Sequence, residues 1–172
     1  MGRIPESESE KWYNLGAAYG DSGKYEKAIE CFDKVIELEP NNASAWTNKG
    51  TLLSLSRKYQ EAIKCYDKAI ELEPDNAITW FNKGSRALQF LDKYEESIKC
   101  FDKVIELEPD NASAWASKAV MFEYLDKYEE SIKCYDKAIE LEPDNAITWF
   151  NKGSTLMGES QMDVLHLTDS GY

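Results

Sequence analysis

Residues 59–85 read YQEAIKCYDKAIELEPDNAITWFNKGS, and the same stretch returns at residues 128–154 with changes only at positions 60 and 62. The chain is therefore built by internal duplication. Self-similarity of this kind is typical of arrays in which each unit packs only on its neighbours. The copied segment begins at a tyrosine, passes a proline and ends shortly after a tryptophan, and these residues serve as markers for a shorter repeat.

Prolines that follow the string IELE mark this shorter period, and tryptophans recur in step with them. The prolines are 34, 35 and 34 residues apart. The marker residues are Pro40, Pro74, Pro109 and Pro143, with Trp12, Trp46, Trp80, Trp115 and Trp149. A period of this size predicts a stack of similar units. The third unit has one extra residue, which we expect near residues 89–91, in the turn between its two helices.

Each unit reads as a pair of antiparallel helices. In the first unit, apolar and small residues recur three and four positions apart, which is the stripe of one helix face. A second stripe runs from Tyr25 to Ile36, after Gly23, which favours a break between the two helices. The first stripe consists of Trp12, Leu15, Gly16 and Tyr19.

The prolines and the asparagines after them predict where one unit stops and the next begins. Pro40 ends the second helix, because the residue before a proline is pushed out of the helical region. Asn42 then stands where a helix N-cap is preferred. The same signal recurs at Asn76, Asn111 and Asn145.

Taken together, these residues resemble the tetratricopeptide repeat family. The family's pattern of Trp, Leu-Gly, Tyr, Ala, Phe, Ala and Pro is matched in the first unit by Trp12, Leu15, Gly16, Tyr19, Ala28, Phe32, Val35 and Pro40. The resemblance covers about residues 9–158. It implies an all-α fold, a right-handed superhelical solenoid of antiparallel helix pairs. A lysine replaces the leucine beside the glycine at positions 49, 83, 118 and 152, as in an NKG variant of the family.

The repeat pattern predicts one array over residues 1–158 and a tail over residues 159–172. Repeats are expected at about residues 9–42, 43–76, 77–111 and 112–145, with a half repeat at 146–158. The tail matches no second helix of the family. It folds back as a cap, contributes to a dimer contact or is disordered, and the sequence leaves these three alternatives open. The capping residues would be Met162, Val164, Leu165 and Leu167.

The net charge and the hydropathy of the chain limit the classes of ligand and the cellular location that we expect. The formal net charge is -12 and the sequence pI is about 4.6, so nucleic acid phosphates and anionic lipid surfaces are disfavoured as ligands. A protein or peptide partner with basic segments is favoured instead. The chain has no apolar run of about 18 residues, and its first residues lack the apolar stretch of a secretory signal. We therefore expect a cytoplasmic protein.

Residues for catalysis or metal binding are not grouped in the sequence. His166 is the only histidine, and the four cysteines are separated by 34, 35 and 34 residues. Such spacing differs from the close Cys-x-x-Cys pairs of zinc and redox sites and predicts free thiols on the second helices. We assign no catalytic residue, no metal ligand and no cofactor.

The resemblance implies a peptide-binding groove lined by the first helices, a known use of this family. Its lining, read by distance from each tryptophan, is neutral, polar and aromatic. The predicted site residues are Tyr13, Asn14, Asn48, Thr51, Phe81, Asn82, Ser85, Gln89, Glu123, Tyr124, Phe150 and Asn151. Asparagines suit this role, because an amide both donates and accepts hydrogen bonds. The cations with which some family members clamp a carboxylate are missing from the equivalent positions.

The sequence thus predicts a non-enzymatic scaffold that binds a peptide or a helix of a partner protein. A first alternative is a self-associating structural module that assembles through the repeat ends and the tail, as a homo-oligomer through the C-terminal half repeat. A helical-repeat RNA binder is a weaker alternative, because the groove lacks lysine and arginine.

Overall fold

The computed structural model describes the backbone of residues 7–169, and the side chains of residues 7–158 except positions 87 and 88. Every regular element in this part of the chain is a helix, so the all-α prediction is confirmed. The helices are α1 (Glu8–Asp21), α2 (Tyr25–Leu38), α3 (Ala43–Leu55), α4 (Tyr59–Leu72), α5 (Ala77–Asn82), α6 (Tyr94–Leu107), α7 (Ala112–Glu123), α8 (Tyr128–Leu141) and α9 (Ala146–Asp169). The chain divides between Leu91 and Asp92 into two compact units.

A left-handed residue stands in the turn between the two helices of each of the first four repeats. In the first repeat it is Gly23, with φ of 72°. The equivalent residues are Arg57, Asp92 and Asp126, with φ of 60°, 54° and 55°. Glycine adopts this conformation without steric cost, whereas a side chain is strained there. The turn geometry is therefore kept even where the sequence does not favour it.

The turn between repeats is held by two recurring hydrogen bonds. The Asn42 side chain accepts from the backbone N–H of Ala45 at 3.0 Å, which confirms the predicted N-cap. The indole Nε1 of Trp46 donates to the carbonyl oxygen of Pro40 at 3.0 Å. Asn76, Asn111 and Asn145 cap their helices in the same way, and Trp80, Trp115 and Trp149 donate to Pro74, Pro109 and Pro143.

Small residues on the first helices admit aromatic residues of the second helices. A Cβ added at Gly16 would lie 3.1 Å from both Cys31 and Phe32, and one added at Gly50 would lie 2.8 Å from the ring of Tyr66. Phe32 and Tyr66 are almost completely buried. The first two helix pairs therefore each close around a glycine, which accounts for the presence there of a residue that is otherwise unfavourable inside a helix.

The extra residue of the third repeat is absorbed earlier than we expected. A π-helical turn occupies Lys83–Leu88, directly after α5, and a short 3-10 turn follows at Gln89–Leu91. A π turn accommodates one additional residue within a continuous helix. The insertion therefore widens the end of the first helix, and it is not confined to a bulge near residues 89–91.

Helix α9 continues without a break from Ala146 to Asp169. The first helix of the half repeat is thus longer than the sequence pattern, which ends near residue 158. The side chains of Met162, Val164, Leu165 and Leu167 lie outside the described residues. Their proposed capping role stays a prediction.

Candidate functional site

In the first unit, a cleft of about 240 Å³ is lined by residues of α1, α2 and α3. It is lined by Gly16, Ala17, Gly20, Asp21, Phe32, Asn48, Thr51, Leu52 and Leu55. Asn48 and Thr51 belong to the predicted groove. Two predicted site residues of α3 thus line the same cleft, together with small residues of α1.

Asn48 is held in place by the preceding repeat. Its side-chain amide nitrogen donates to the hydroxyl of Tyr13 at 2.8 Å. The Tyr13 ring stands edge-on to Phe32, with the ring centres 5.3 Å apart. A core aromatic residue therefore positions Tyr13, and Tyr13 in turn orients the amide at the edge of the cleft. Asn14, the next residue of α1, is exposed.

Thr51 is fixed from two sides. Its hydroxyl donates to the backbone carbonyl of Thr47 at 3.1 Å and accepts from the hydroxyl of the buried Tyr66 at 3.2 Å. One turn earlier, the Thr47 and Thr79 hydroxyls lie 2.8 Å apart and join α3 to α5. The threonine side chains at the cleft are thus held by hydrogen bonds to neighbouring helices, which limits how far these side chains can move.

The remaining predicted residues of the first unit follow along the third repeat. Phe81, Asn82, Ser85 and Gln89 are all half-buried. Ser85 lies within the π turn and Gln89 begins the 3-10 turn. The insertion thus alters the helical register of this part of the predicted groove. Nearby, Phe90 stacks on Tyr59 with ring centres 5.0 Å apart.

In the second unit the equivalent polar cluster has a different composition. Val120 and Glu123 follow Lys118 at the spacings at which Thr51 and Ser54 follow Lys49. The Thr155 hydroxyl donates to the Glu123 carboxylate. The Tyr135 hydroxyl is buried near Glu123 and Asn151 and has no hydrogen-bond partner among the described residues. Burial, and then the Glu123 carboxylate, raise the pKa of Tyr135 above its usual value.

The other predicted residues of the second unit are accessible to a ligand to different degrees. Tyr124 is 53 % exposed and stacks on Tyr94, with ring centres 4.7 Å apart. Phe150 is 74 % exposed. Asn151 is half-buried, and its backbone carbonyl lies 3.0 Å from the Thr155 hydroxyl. In this unit, aromatic surface is more prominent than exposed amide groups.

A recurring ion pair was not foreseen from the sequence. In every repeat after the first, including the half repeat, the variant lysine contacts an aspartate on the second helix of the preceding repeat, 16 positions earlier. The pairs are Lys49–Asp33, Lys83–Asp67, Lys118–Asp102 and Lys152–Asp136, with N–O distances of 2.5 to 2.6 Å. Each lysine also lies over the tryptophan of its own helix, 5.5 to 5.9 Å from the ring centre. In the sequence, each of these lysines follows an aspartate by 16 positions, and this constant spacing could have indicated the ion pair.

The four cysteines are free and buried, one on each second helix. Burial raises the pKa of Cys65 and of Cys134 to about 11 each. A thiol in this state is a poor nucleophile, because the reactive form is the thiolate. Among the described residues, no group of three or more His, Cys, Asp or Glu side chains is placed to hold a metal ion.

No described helix combines the length and apolar character needed to cross a membrane. The long helix α9 carries threonine, asparagine and lysine within its first turns.

Comparison with family models identifies the repeats directly. Models described as tetratricopeptide repeat match residues 9–42, 43–76, 77–111 and 112–145, and a further model of that description matches residues 134–163. Together they cover most of the chain. Comparison with curated proteins gives no match.

Several solved structures share the fold. A crystal structure of MamA protein superposes with a TM-score of 0.82 at 21 % identity, covering 90 % of this chain and 84 % of that one. A second MamA crystal structure gives a TM-score of 0.76 at 26 % identity, covering 81 % of each chain. MamA from Desulfovibrio magneticus RS-1, from residue 41 to its end, gives 0.83 at 19 % identity, covering 96 % and 94 %.

Proposed function

We propose that this chain, which belongs to the tetratricopeptide repeat family, is a non-enzymatic scaffold that binds a peptide or a helix of a partner protein along its first helices. A stack of helix pairs presents the same element of every repeat on one surface, which suits an extended or helical ligand. The family and the fold fit a protein interaction scaffold.

One observation supports this assignment most. The cleft of the first unit coincides with two residues that were selected as groove residues by their distance from tryptophan, Asn48 and Thr51. Both are held by hydrogen bonds to the protein itself. A ligand that binds here does not have to order these side chains, so less conformational entropy is lost on binding.

The chemistry of the cleft suggests the kind of segment that it binds. Asn48 provides an oriented amide, and Leu52, Leu55 and Phe32 provide apolar surface beside it. An amide can pair with a peptide backbone whatever its sequence, and an apolar pocket selects a side chain. We therefore expect a segment with one apolar anchor residue whose neighbouring backbone contacts Asn48.

The charge of the chain adds a preference for basic segments. With a net charge of -12, long-range attraction favours partners rich in lysine and arginine. Such attraction is screened by salt, so affinity for a basic segment should fall as ionic strength rises. Nucleic acids are disfavoured by the same charge, and saturable binding of RNA at moderate salt would contradict this assignment.

A direct test uses a peptide library displayed on phage, selected on the full chain. The peptide with the highest affinity is synthesised and titrated against the wild type and against Asn48→Ala. We expect about a fivefold loss of affinity, since one hydrogen bond with a fixed amide contributes about 1 kcal/mol. Asn41→Ala, which changes an exposed asparagine in the turn before α3, is the matched control and should bind like the wild type.

Two results would contradict the proposal. One is the absence of any peptide that binds saturably to the folded chain. The other is a peptide that binds the wild type, Asn48→Ala and a double variant with Asn82→Ala with equal affinity, while circular dichroism shows that all three are folded. The second result would move the site away from the first helices.

A self-associating module is the second candidate function, and helix α9 gives a specific reason to keep it. Its large apolar side chains Phe150 and Met157 are 74 % and 64 % exposed. The cleft residues of the first unit belong to α1, α2 and α3, and none of them lies on α9.

A further inference from the structure

The outer face of α9 carries a stripe of exposed apolar side chains around a glycine. We call the residues Trp149, Phe150, Gly153, Leu156 and Met157 the α9 stripe. Its four large side chains are 51 %, 74 %, 43 % and 64 % exposed, in chain order. Thr148 and Thr155, which lie on the opposite side of the helix, are each 4 % exposed. Within residues 146–158 of α9, the most apolar side of the helix is therefore exposed.

The glycine of the stripe lacks the neighbour that its counterparts have. Gly16 and Gly50 are closed by Phe32 and Tyr66 of their second helices. Around Gly153, an added Cβ would meet no atom of the described residues within 4 Å. The surface that is covered inside the first two repeats is thus left open on α9.

We propose that the α9 stripe is the contact face of a homodimer, in which α9 packs against α9 of a second copy about a twofold axis near Gly153. This inference rests on the second candidate function, self-association, and specifies its contact face. It does not depend on the peptide-binding function.

The stripe is complementary to itself when two copies run antiparallel. With the axis at Gly153, residues equally far before and after it face each other. Trp149 of one copy then lies against Met157 of the other, and Phe150 lies against Leu156. A thioether beside an aromatic ring is favourable, and a glycine at the crossing lets the two backbones approach closely.

The charge of the stripe also favours a second copy over a basic peptide. None of its five side chains is charged, and the adjacent Lys152 is paired with Asp136 at 2.5 Å. A basic segment would find no carboxylate within the stripe. Two copies that each carry a charge of -12 repel one another at long range, so the dimer should strengthen when salt screens that repulsion.

The exposed area is enough for a weak dimer. Large apolar side chains of this kind present roughly 150–250 Å² each when fully exposed, so the stripe offers roughly 450 Å² per chain. Twice this area, roughly 900 Å², lies below the range of stable specific interfaces and within the range of weak, transient complexes. The dimer should therefore depend on protein concentration in the micromolar range.

Sedimentation equilibrium of the full chain, at low and at high salt, tests the proposal. We expect a monomer–dimer equilibrium that shifts toward dimer as sodium chloride rises. Leu156→Asp and Gly153→Arg should each weaken dimerisation at least tenfold, since each places a charge in the centre of the contact. Ile147→Asp is the matched control, because Ile147 is 73 % exposed on the same helix but lies outside the stripe, and it should dimerise like the wild type.

A cross-linking experiment tests the axis. In Gly153→Cys, two thiols meet across the twofold axis, so mild oxidation should give a covalent dimer within minutes, while Ile147→Cys should give far less. The native cysteines are buried and should not interfere. Circular dichroism of each variant reports whether it is folded.

Three results would overturn the proposal. They are a wild type that stays monomeric at several hundred micromolar in high salt, a dimer that persists in both charged variants, and a Gly153→Cys chain that forms no covalent dimer. Protection of that thiol from alkylation by a synthetic peptide of residues 128–141, without dimer formation, would assign the stripe to a partner helix instead. Leu156→Asp should keep its affinity for the selected peptide, so failure of one proposal is distinguishable from failure of the other.

Discussion

The ammonium group of Lys49 lies 2.5 Å from the carboxylate of Asp33 and 5.8 Å from the centre of the Trp46 ring. One side chain thereby links the first helix of the second repeat to the second helix of the first. The lysine is only 21 % exposed, so the pair is better shielded from water than the exposed pair Lys34–Glu37 on the surface of α2. The lysine of the NKG variant therefore connects two successive repeats, and we call the Lys49–Asp33 pair the Lys–Asp junction.

A double-mutant cycle measures this junction. We expect Lys49→Ala and Asp33→Ala to show a coupling of about 0.5–1 kcal/mol in the free energy of unfolding, because the pair is partly shielded but still partly screened by solvent. Chemical denaturation in urea, at low salt and in 1 M sodium chloride, checks this value and its decrease with salt. The corresponding cycle on Lys34 and Glu37 should give a smaller coupling, and equal couplings would remove any special role of Lys49.

The turn residue Arg57 offers a stabilising substitution. Its φ of 60° is unfavourable for a side chain, and the first repeat has Gly23 at this place. Arg57→Gly should raise the free energy of unfolding by about 1 kcal/mol, since it removes the left-handed strain. Thermal and urea unfolding measure the change. Gly23→Ala should lower stability by a similar amount, and a loss of stability in Arg57→Gly would disprove this account.

Gly50 and Gly153 occupy equivalent positions, yet the same substitution should affect them in opposite directions. Gly153→Ala should stabilise the chain by about 1 kcal/mol, because alanine favours the helix and no atom is in its way. Gly50→Ala should destabilise it, since the new Cβ would lie 2.8 Å from the Tyr66 ring. Urea unfolding at low protein concentration gives both values, and stabilisation by both substitutions would refute the close packing at Gly50.

Ser131 is a buried polar residue, and replacing its hydroxyl group by hydrogen should stabilise the folded chain. Its hydroxyl has no hydrogen-bond partner among the described residues, and the side chain is 0 % exposed. Ala62 occupies the same place in the second repeat and is equally buried. Ser131→Ala should therefore stabilise the chain by about 1 kcal/mol, and Ala62→Ser should destabilise it by a similar amount. Equal stability of wild type and both variants would indicate that Ser131 finds a partner.

The raised thiol pKa values predict a pH-dependent reactivity. Cys65 has a pKa of about 11 in the folded chain against 9.0 for an ordinary thiol, so at pH 8 its thiolate is about a hundredfold rarer than in the unfolded chain. Alkylation at pH 8 should be slower by at least this factor in the native protein than in urea. Stability linked to the neutral thiol is complete below pH 9 and is lost as the pH rises toward 11. Fast labelling of the native chain at pH 8 would contradict the burial of these thiols.

The sequence predicted the helix pairs and their caps because the signals are local. A proline after IELE ends one helix, and an asparagine before the next tryptophan caps the following helix. Both effects involve only neighbouring residues, and Asn42 caps α3 as expected. The position of the inserted residue was predicted less well. Either a loop or a π turn can absorb one residue, and the difference depends on the packing of α5 and the turn at Lys83–Leu88 rather than on local preference.

The sequence indicated which residues of the first helices to consider for the candidate site, but not which hydrogen bonds those residues make. Asn48 and Thr51, which were chosen by counting from the tryptophan, line the cleft, and their role in binding stays a prediction. The count could not show that Tyr13 and Tyr66 form hydrogen bonds with them. The Lys–Asp junction was missed for a similar reason. Its partners are 16 positions apart and belong to different repeats, so only a spacing analysis across repeats would have connected them.

The near-identity of residues 59–85 and 128–154 has a consequence for how the gene can change length. Recombination between the two copies would remove 69 residues, the distance from Tyr59 to Tyr128, and leave a protein of 103 residues from the original 172. In that product Lys58 would be followed by Tyr128, and α8 would take the place of α4 against α3 with two altered side chains. Because the Trp149–Pro143 and Lys152–Asp136 bonds lie within the retained part, the shortened protein would inherit its contacts intact. Loss or gain of such a block is a conservative event for this molecule, whereas a single inserted residue, as in the third repeat, forces a helix to change its winding.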